Sequence, residues 1–373
     1  ILLNISKSSA EIDWILPVLE ELSKKYRIFT LFQNSKSFET LNKDKILFKL
    51  WKRISPNYAI DNEYDKLVRY CSKKFLNSFS LKNYFKKKNL NLSEIKTVLS
   101  EFGTYCWIFD EVKKTTNKPT TIYFPTSSFI FGKGKEIFTI KFNLNSDYLL
   151  LCNRLDKFFW KKRIDENKIR IVGVPKYDTK WLERIKSNKI KKRKKIILFA
   201  YSSRFNSKFV DNKKLEKQFF EILRTLEKIN NCKIIFKIHP RKNDPYYLKI
   251  LKKFKNIDWE ISSKNLLNLT NVCDIFLHDK FSSVIYEGLI RKKPTIEYWD
   301  LNKKTNVSFG HDYLKLNVIA KNPDKLEYLI KLGIKNPKNK IWIKQQAKFF
   351  LILEKFNINS SKYTSKLIDN ISK

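Results

Sequence analysis

The segment that decides the fold is residues 196–200, IILFA, followed by a helical stretch at 213–229 and by residues 233–238, KIIFKI. Both apolar runs have the length of a buried strand, and the stretch between them carries apolar residues at helical spacing. A strand, a crossover helix and a second strand form a βαβ unit, in which the two strands are parallel. The same alternation continues beyond residue 238, so we predict an α/β fold.

The first half of the chain has the same rhythm. Residues 1–6 are predicted to be a buried strand, and residues 10–25 a helix with one apolar face. The following strand is expected at 27–33, and the very basic stretch at 40–90 is expected to be helical. Two successive open α/β units predict two Rossmann-like lobes with an interdomain cleft. Further strands are expected in the first lobe at residues 95–99, 120–124, 148–152 and 169–172.

A polar and strongly basic stretch at 186–195, KSNKIKKRKK, is the best candidate for a domain boundary. It divides the chain into an N-terminal domain, 1–188, and a C-terminal domain, 189–340. Helices expected within 341–373 close the chain, and packing against the N-terminal lobe is one option for them. A linker is the simplest interpretation of the basic run, with a membrane or nucleic-acid patch as the alternative.

The net charge of +40, from 77 Lys and Arg against 37 Asp and Glu, raises the question of an anionic partner. Nucleic acid, an anionic membrane surface and an anionic substrate are the three candidates. A hydrophobic fraction of 42% excludes a disordered polybasic tail. Lysines are spread along the whole chain, whereas nucleic-acid binders gather charge on one arm or face, so no specific nucleic acid is expected.

The expected location is the cytoplasm. The apolar runs are too short to span a bilayer, and the first residues, ILLNIS, lack the basic region of a signal peptide. Five widely spaced cysteines without a CxxC pair favour a reducing compartment. The surplus of lysine would hold such a protein peripherally at the anionic inner face of the cell membrane.

In an open parallel sheet, ligands bind beyond the carboxyl ends of the strands, and two predicted strands end in suitable groups. The strand 233–238 runs into His239 and Arg241, which can both donate to phosphate oxygens. The strand 196–200 is followed after one residue by Ser202 and Ser203. The alternative for each is an ordinary surface turn, although His239 is one of three histidines in the chain.

A third strand, predicted at 274–277, leads towards Asp279 and the serine pair Ser282 and Ser283. The serines begin a predicted helix, 282–290, that carries Glu287. They suit either a helix N-cap or a phosphate site formed by hydroxyls and free amide groups. Both interpretations stay open.

In the first half, Glu101 follows a predicted strand and is our candidate for a general base. A solvated loop carboxylate is the alternative. No metal-ligand pattern, Walker loop, GxGxxG or GxSxG elbow is present in the sequence. We therefore expect no metal and no cofactor.

Together, the Ile238-His239-Pro240 segment, residues 279–283 (DKFSS) and residues 293–298 (KPTIEY) resemble bacterial surface-polysaccharide transferases. The resemblance is to the CDP-glycerol glycerophosphotransferases and the polysialyltransferases, which have a GT-B fold. Residues 172–178, VGVPKYD, are similar to the GxPRxD stretch of such enzymes, with Lys176 in place of arginine and Asp178 as an expected helix cap.

The resemblance implies that His239 and the serine pair Ser282 and Ser283 hold the donor phosphate. It implies a donor-binding set in the C-terminal domain, an acceptor-side N-terminal domain, and Glu101 and His239 as catalytic groups. Glu101-Phe102-Gly103 is similar to the acidic-acidic-glycine motif of polysialyltransferases, but Phe102 replaces the second acid. Taking the strand ends and the resemblance together, the expected donor-binding residues are Ser202, Ser203, Arg241, Asp279, Ser282, Ser283 and Glu287.

The function expected first is metal-independent, inverting transfer of a sugar or acidic sugar from a CMP-, CDP- or UDP-activated donor. The acceptor would be a glycan or lipid-linked bacterial surface polysaccharide, such as a capsule. Transfer of glycerol phosphate from CDP-glycerol is the second hypothesis. A non-enzymatic protein that binds nucleic acid or a lipid surface is the third. UDP-sugar epimerases are also double-lobed, and we rank them lower because their catalytic acids are not identifiable here.

Overall fold

The computed structural model describes most of the chain, and its described residues form two compact units. The first unit contains the described residues up to Leu182 together with those from 359 onward. The second unit contains those from Glu183 to Leu353. The described residues are 1–6, 9–75, 80–102, 105–125, 144–161, 164–186, 194–201, 212–238, 245–279, 284–299, 315–353 and 359–372.

The first unit contains a parallel sheet of seven described strands in the order β3-β2-β1-β4-β5-β6-β7. Its central strands are buried on both faces, as expected of a parallel sheet covered by helices. The strands are β1 Leu2–Ile5, β2 Phe29–Phe32, β3 Asn57–Ile60, β4 Thr97–Glu101, β5 Thr120–Phe124, β6 Tyr148–Leu151 and β7 Ile169–Ile171.

Helices connect these strands. The predicted apolar face of the first helix is confirmed, because Ile12, Ile15 and Leu19 are fully buried. Within the same helix, Trp14 stacks on Phe124 of β5 at 5.7 Å between ring centroids. The helices that begin before residue 185 are α1 Ser9–Leu22, α2 Ser35–Lys43, α3 Lys45–Ile54, α4 Glu63–Phe75, α5 Leu81–Lys87, α6 Trp107–Val112, α7 Arg154–Trp160 and α8 Thr179–Arg184.

The expectation that residues 40–90 are helical is wrong at β3. Asn57–Ile60 pairs in parallel with β2 and forms the edge strand of the described sheet. Helix α3 ends at Ile54, and Pro56 follows it, where a proline cannot continue a helix. The strand is exposed to half-buried, so it lacks the apolar signature by which the central strands are recognised.

The second unit contains a parallel sheet of six described strands in the order β10-β9-β8-β11-β12-β13. The fold class predicted from the sequence, α/β with two Rossmann-like lobes, is thereby confirmed. The strands are β8 Lys195–Tyr201, β9 Cys232–Ile238, β10 Trp259–Ile261, β11 Ile275–Asp279, β12 Thr295–Tyr298 and β13 Ile319–Ala320. The remaining described helices are α9 Asn212–Glu227, α10 Pro245–Leu251, α11 Leu266–Val272, α12 Ile285–Ile290, α13 Pro323–Lys335, α14 Lys340–Ile352 and α15 Ser360–Ile371.

Helix α12 packs unusually close to the sheet at Gly288. A Cβ atom at this position would lie 2.5 Å from Phe276 Cδ1 and 2.5 Å from Thr295 Oγ1. Phe276 belongs to β11 and Thr295 to β12. The glycine therefore sets how closely the helix that follows β11 can approach the two strands beneath it.

The last two helices belong to different units. Helix α14 packs in the second unit, where Trp342 is fully buried and Gln345 Nε2 donates to the carbonyl oxygens of Thr295 and Leu316 at 2.9 Å each. Helix α15 belongs to the first unit and packs along α1.

Candidate functional site

Both sheets reverse their strand order at one point, and this point selects the loops that can form a site. In the first sheet, β2 and β3 follow β1 towards one edge, and β5 to β7 follow β4 towards the other. The second sheet has the same arrangement, with β9 and β10 on the side of β8, and β12 and β13 on the side of β11. At such a switch point the connections leave in opposite directions, and the crevice beyond the carboxyl ends is where open α/β folds bind ligands.

In the second unit, three adjacent strands end at the same level. Tyr201, the last residue of β8, is in register with Ile238, the last residue of β9. On the other side of β8, Ala200 is in register with His278, one residue before the end of β11. Neighbouring strands are about 4.8 Å apart, so the segments that follow β9, β8 and β11 start next to one another along this edge of the sheet. The sequence predicted donor-binding residues directly after these three strands.

Six of the predicted site residues lie outside the described residues: Ser202, Ser203, His239, Arg241, Ser282 and Ser283. Their assignment remains a prediction from the sequence. The structure describes the strand ends from which the chain enters these positions, and it describes the other predicted residues of this unit, Asp279 and Glu287.

Asp279 is the last residue of β11 and lies at the switch point. It is buried, and its carbonyl oxygen is 2.9 Å from Nδ1 of the fully buried His278. His278 is in register with Glu297 of β12, which is also buried. The ends of β11 and β12 therefore hold one imidazole, His278, and two neighbouring carboxylic acids, Asp279 and Glu297. Sequence reasoning missed His278 and Glu297, although a rare histidine and an acid at the ends of apolar strands were available signals.

Glu287 lies in the first turn of α12 and is buried. The N-cap position of this helix belongs to Val284, which makes no side-chain cap hydrogen bond. The described helix begins at Ile285, and the serines Ser282 and Ser283, with their expected role as a cap, lie outside the described residues. The alternative role of the serines as ligands of an anion stays a prediction.

In the first unit, Glu101 is the last residue of β4 and also lies at a switch point. It is buried and in register with Phe124 of β5. The next residue, Phe102, packs against Tyr123 and Trp160 at centroid distances of 5.8 and 4.8 Å. This aromatic contact explains why an apolar residue stands where the resembling motif has a second acid.

An uncharged hydrogen-bond network joins the strand ends around Glu101. Asn4 of β1 donates from Nδ2 to Ser100 Oγ at 2.9 Å and to Cys106 Sγ at 3.5 Å. Its Oδ1 accepts from Gln33 Nε2 at 2.8 Å. Burial raises the pKa of the Cys106 thiol to about 12, so the thiol stays protonated within the network. The network fixes the edges of β1 and β4, and single polar residues of this kind gave no signal in the sequence.

A second network lies beside β5. Tyr123 accepts a hydrogen bond from the amide of Cys106 at 3.0 Å and donates to Asn145 Oδ1 at 2.8 Å. Asn145 Nδ2 in turn donates to Asp110 Oδ1 at 3.0 Å, and Asp110 also accepts from the Tyr105 hydroxyl. This hydrogen bond, with a smaller contribution from burial, raises the pKa of Tyr105 to about 12. Tyr105 therefore stays neutral at physiological pH.

The stretch 172–178 has a structural role in the first unit. Gly173 has φ 75°, a conformation that favours glycine. The buried Lys176 lies 3.9 Å from Asp13 of α1, measured between Nζ and Oδ2. The carboxylate of Asp178 accepts from the backbone amides of Ser360 and Ser361 at 2.9 and 2.7 Å. Asp178 was expected to cap the helix after it, but its side chain caps α15 instead.

A charged cluster at the carboxyl end of β3 was also missed. Asp61 is buried and accepts from the Tyr84 hydroxyl at 2.6 Å, and it pairs with Lys88 at 3.0 Å and Arg69 at 3.3 Å. The Arg69 guanidinium lies 4.3 Å from the centroid of the Trp107 ring. These cations are paired within the unit, so part of the lysine surplus at 40–90 serves folding.

Two searches of the described residues bear on other classes of protein. No three or more His, Cys, Asp or Glu side chains converge there in a way that could hold a metal ion. Within the same ranges, every helix is too short or too polar to cross a bilayer.

Three solved structures illustrate the folds to which this chain is similar. The wall teichoic acid polymerase TagF, in a variant soaked with CDPG, aligns with 100% of this chain and 88% of its own at 16% identity and a TM-score of 0.59. The S. aureus MnaA–UDP complex aligns with 99% of this chain and 95% of its own at 12% identity, with a TM-score of 0.62. A glycotransferase of kitacinnamycin covers 99% and 98%, respectively, at 9% identity and a TM-score of 0.54. At these identities the likeness establishes a shared GT-B fold.

Sequence comparison narrows the family. No curated protein shows significant similarity to the whole sequence. The family model of CDP-glycerol:poly(glycerophosphate) glycerophosphotransferases matches residues 135–322, which is half of the chain and includes the strand ends of β8, β9 and β11. Because the match runs through the switch point of the second sheet, and TagF shares the fold, this chain belongs to the CDP-glycerol:poly(glycerophosphate) glycerophosphotransferase family and is a transferase of the GT-B class.

Proposed function

We propose that this transferase moves glycerol phosphate from CDP-glycerol to a growing cell-envelope polymer. The observation that carries the proposal is the family match over residues 135–322, because these residues include the three adjacent strand ends at the second switch point. The match favours the second of the hypotheses drawn from the sequence over transfer of a sugar. Sugar transfer from a CMP-, CDP- or UDP-activated donor to a capsule-like glycan is the alternative that an experiment must separate.

The reaction is a single displacement at the β-phosphorus of CDP-glycerol. An acceptor hydroxyl forms the new P–O bond, the bond to the bridging oxygen breaks, and CMP leaves with that oxygen. The proton of the acceptor hydroxyl passes to a base, for which Glu101 is our candidate. In this proposal His239 and Arg241 donate to the phosphate oxygens on which charge develops, and no metal ion takes part.

The buried acid Asp279 has a separate role in the proposal. It stands at the end of β11, at the level where β8 and β9 also end. A carboxylate at this position can accept hydrogen bonds from the hydroxyl or amino groups of a nucleoside. We therefore assign it to the donor, together with Glu287 in the first turn of α12.

The acceptor side and the location complete the proposal. A lipid-linked polymer at the cytoplasmic face of an anionic membrane would give the net charge of +40 a use, because basic proteins concentrate at anionic lipid surfaces. The same charge would favour an anionic donor and an anionic polymer.

The test is release of CMP from CDP-glycerol in the presence of a short poly(glycerol phosphate) acceptor, compared with CMP-, CDP- and UDP-sugars. Thermal shifts with CDP, CMP, UDP and GDP measure nucleotide preference separately. We expect turnover with CDP-glycerol and stabilisation by CDP, both lost in His239→Ala and both kept in Arg224→Ala, which changes an exposed residue of α9. Turnover with a nucleotide sugar alone would refute the donor assignment. Binding to duplex DNA alone, unaffected by His239→Ala, would refute transfer altogether.

A further inference from the structure

Helix α14 exposes an apolar stripe on the side away from its own core contacts. Trp342, Gln345 and Phe349 face the second unit and are buried. On the opposite side, Leu351 is 84% exposed, Ile343 52% and Phe350 37%. Together with the exposed Ala347, these residues recur at the spacing that places side chains on one face of a helix. We call Ile343, Ala347, Phe350 and Leu351 the outer stripe.

A row of lysines runs directly beside the outer stripe. Lys340, Lys344 and Lys348 are spaced four residues apart and are all exposed. The exposed Lys292 adds a further ammonium group, 5.6 Å from the centroid of the Phe350 ring. The helix Lys340–Ile352 contains no acidic residue. An exposed apolar stripe bordered by cations, on one helix, has the composition of helices that lie in a membrane interface.

We propose that the outer stripe and its lysine row bind the surface of an anionic lipid bilayer, with α14 parallel to the membrane plane. Ile343, Phe350 and Leu351 would enter the boundary between headgroups and acyl chains, and the lysines would contact lipid phosphates. The inference adds a defined surface to the membrane position proposed above, and it is independent of the donor and of the chemistry. Helix α14 lies outside the matched family region, residues 135–322, so the family match says nothing about it.

The charges select this occupant over two others. A second copy of the chain, docked on the same face through a two-fold axis, would bring two outer stripes and two lysine rows together. Such like-charge contacts oppose association. A soluble polyanion would contact the lysines but would leave Leu351 and Ile343 in water. Of these three partners, only an anionic lipid bilayer can both pair with the lysines and bury the apolar side chains of the outer stripe.

Vesicle flotation without nucleotide or acceptor tests the proposal, with phosphatidylcholine vesicles compared with vesicles that also contain phosphatidylglycerol. The wild-type protein should float with the anionic vesicles at low salt. Phe350→Ser/Leu351→Ser should lower the partition coefficient about tenfold through loss of apolar burial. Lys344→Glu/Lys348→Glu should lower the partition coefficient by at least about tenfold. Both lysines are exposed, so these substitutions leave the buried side chains of α14 unchanged.

The matched control is Leu67→Ser/Tyr70→Ser, which removes two exposed apolar side chains from another basic helix, α4. Its partition coefficient should stay within about twofold of wild type. Absence of flotation by the wild-type protein, or unchanged flotation of both α14 variants, would overturn the proposal. So would a dimer in sedimentation that the α14 variants abolish.

Turnover on a soluble acceptor separates this inference from the proposed function. The α14 variants should keep wild-type turnover with CDP-glycerol but should no longer bind the anionic vesicles. If the protein binds vesicles through α14 but does not turn over CDP-glycerol, the membrane-binding surface is supported and the assignment of CDP-glycerol as the donor is refuted. Unchanged far-ultraviolet circular dichroism and thermal unfolding would show that the variants are folded.

Discussion

The two sheets share one strand order around their switch points but line these edges with different chemistry. The first edge is tied by uncharged groups, because Asn4 donates to Ser100 and accepts from Gln33. The second edge carries the imidazole of His278 beside the buried acids Asp279 and Glu297. The same topology therefore presents an amide and hydroxyl network beside one buried acid, Glu101, in the first unit, and three neighbouring buried titratable side chains in the second.

This difference indicates a division of labour. Buried charged groups cost free energy unless partners offset the loss of hydration, so a fold keeps them where binding or chemistry uses them. A neutral network holds strand ends in place without that cost. We infer that the second unit holds the charged donor, and that the first unit provides a rigid edge from which one acid, Glu101, acts on the acceptor.

The prediction with the largest expected effect tests this assignment of roles at Glu101. Glu101→Gln keeps the shape of the side chain but removes the base, so kcat should fall about 10²- to 10⁴-fold. The dissociation constant for CDP should stay unchanged, because the residue belongs to the acceptor side in our assignment. Steady-state kinetics with CDP-glycerol and calorimetry with CDP measure the two quantities. Weakened CDP binding, or unchanged kcat, would contradict the division between the units.

The second effect is expected in the other unit. Asp279→Asn replaces one carboxyl oxygen at the end of β11 by an amide nitrogen, which cannot accept a hydrogen bond, so CDP binding should weaken about 10- to 100-fold. Calorimetric titration of CDP measures this, with Asp258→Asn as the control because Asp258 is an acid whose ion pair with Lys194 is solvent-exposed. If Asp279→Asn and the control bind CDP equally well, the donor does not contact this acid.

Apart from β3, the strands of both units could be predicted from the sequence, because a buried strand is a local feature. Runs such as IILFA at 196–200 have an unambiguous length and composition. The edge strand Asn57–Ile60 could not, because an exposed four-residue strand between basic helices carries no apolar pattern. Its existence depends on pairing with β2, which is a tertiary contact.

The candidate site was predictable only in part, for the same physical reason. The sequence places Asp279 and Glu101 at strand ends, and the strand order then puts both at switch points. The link from Asp178 to Ser360 joins residues 182 positions apart, so it could not be read from spacing. The network from Asn4 to Ser100 crosses 96 positions and likewise depends on which strands are neighbours.

The third effect concerns stability, and it should fall on the second unit alone. In Gly288→Ala, the new Cβ would meet the Phe276 ring and Thr295 Oγ1 at 2.5 Å, so we expect a loss of about 1–3 kcal/mol in the free energy of unfolding. Gly333→Ala is the matched control in α13. Its Cβ would meet the flexible end of Ile275 at 2.4 Å, and alanine also favours the helix.

Urea unfolding followed by circular dichroism compares these two variants. The control should lose less stability than Gly288→Ala, because the end of an isoleucine side chain can rotate away whereas an aromatic ring between packed elements cannot. Equal losses would show that α12 can shift on the sheet, and that its close approach is not fixed by Gly288.

The smallest effect is a pH dependence in the first unit. Burial raises the pKa of Asp178 above its ordinary value of 3.8, although hydrogen bonds from Ser361 and Ser360 act in the opposite direction. A carboxyl whose pKa is raised by folding contributes stability below its ordinary pKa, and this contribution is lost as the pH rises through the raised value. Asp178→Asn stays neutral at every pH and keeps an oxygen that can accept from α15.

The difference in free energy of unfolding between wild type and Asp178→Asn should therefore move in favour of the asparagine variant from about pH 4 to about pH 7. Urea unfolding at several pH values measures this difference, and effects of other titrating groups cancel because both proteins share them. A change in the opposite direction would mean that the amides at the start of α15 stabilise the carboxylate more than burial disfavours it. The start of α15 would then be stabilised by a buried carboxylate, so the first unit would use a buried charge at this place as well as at Asp61.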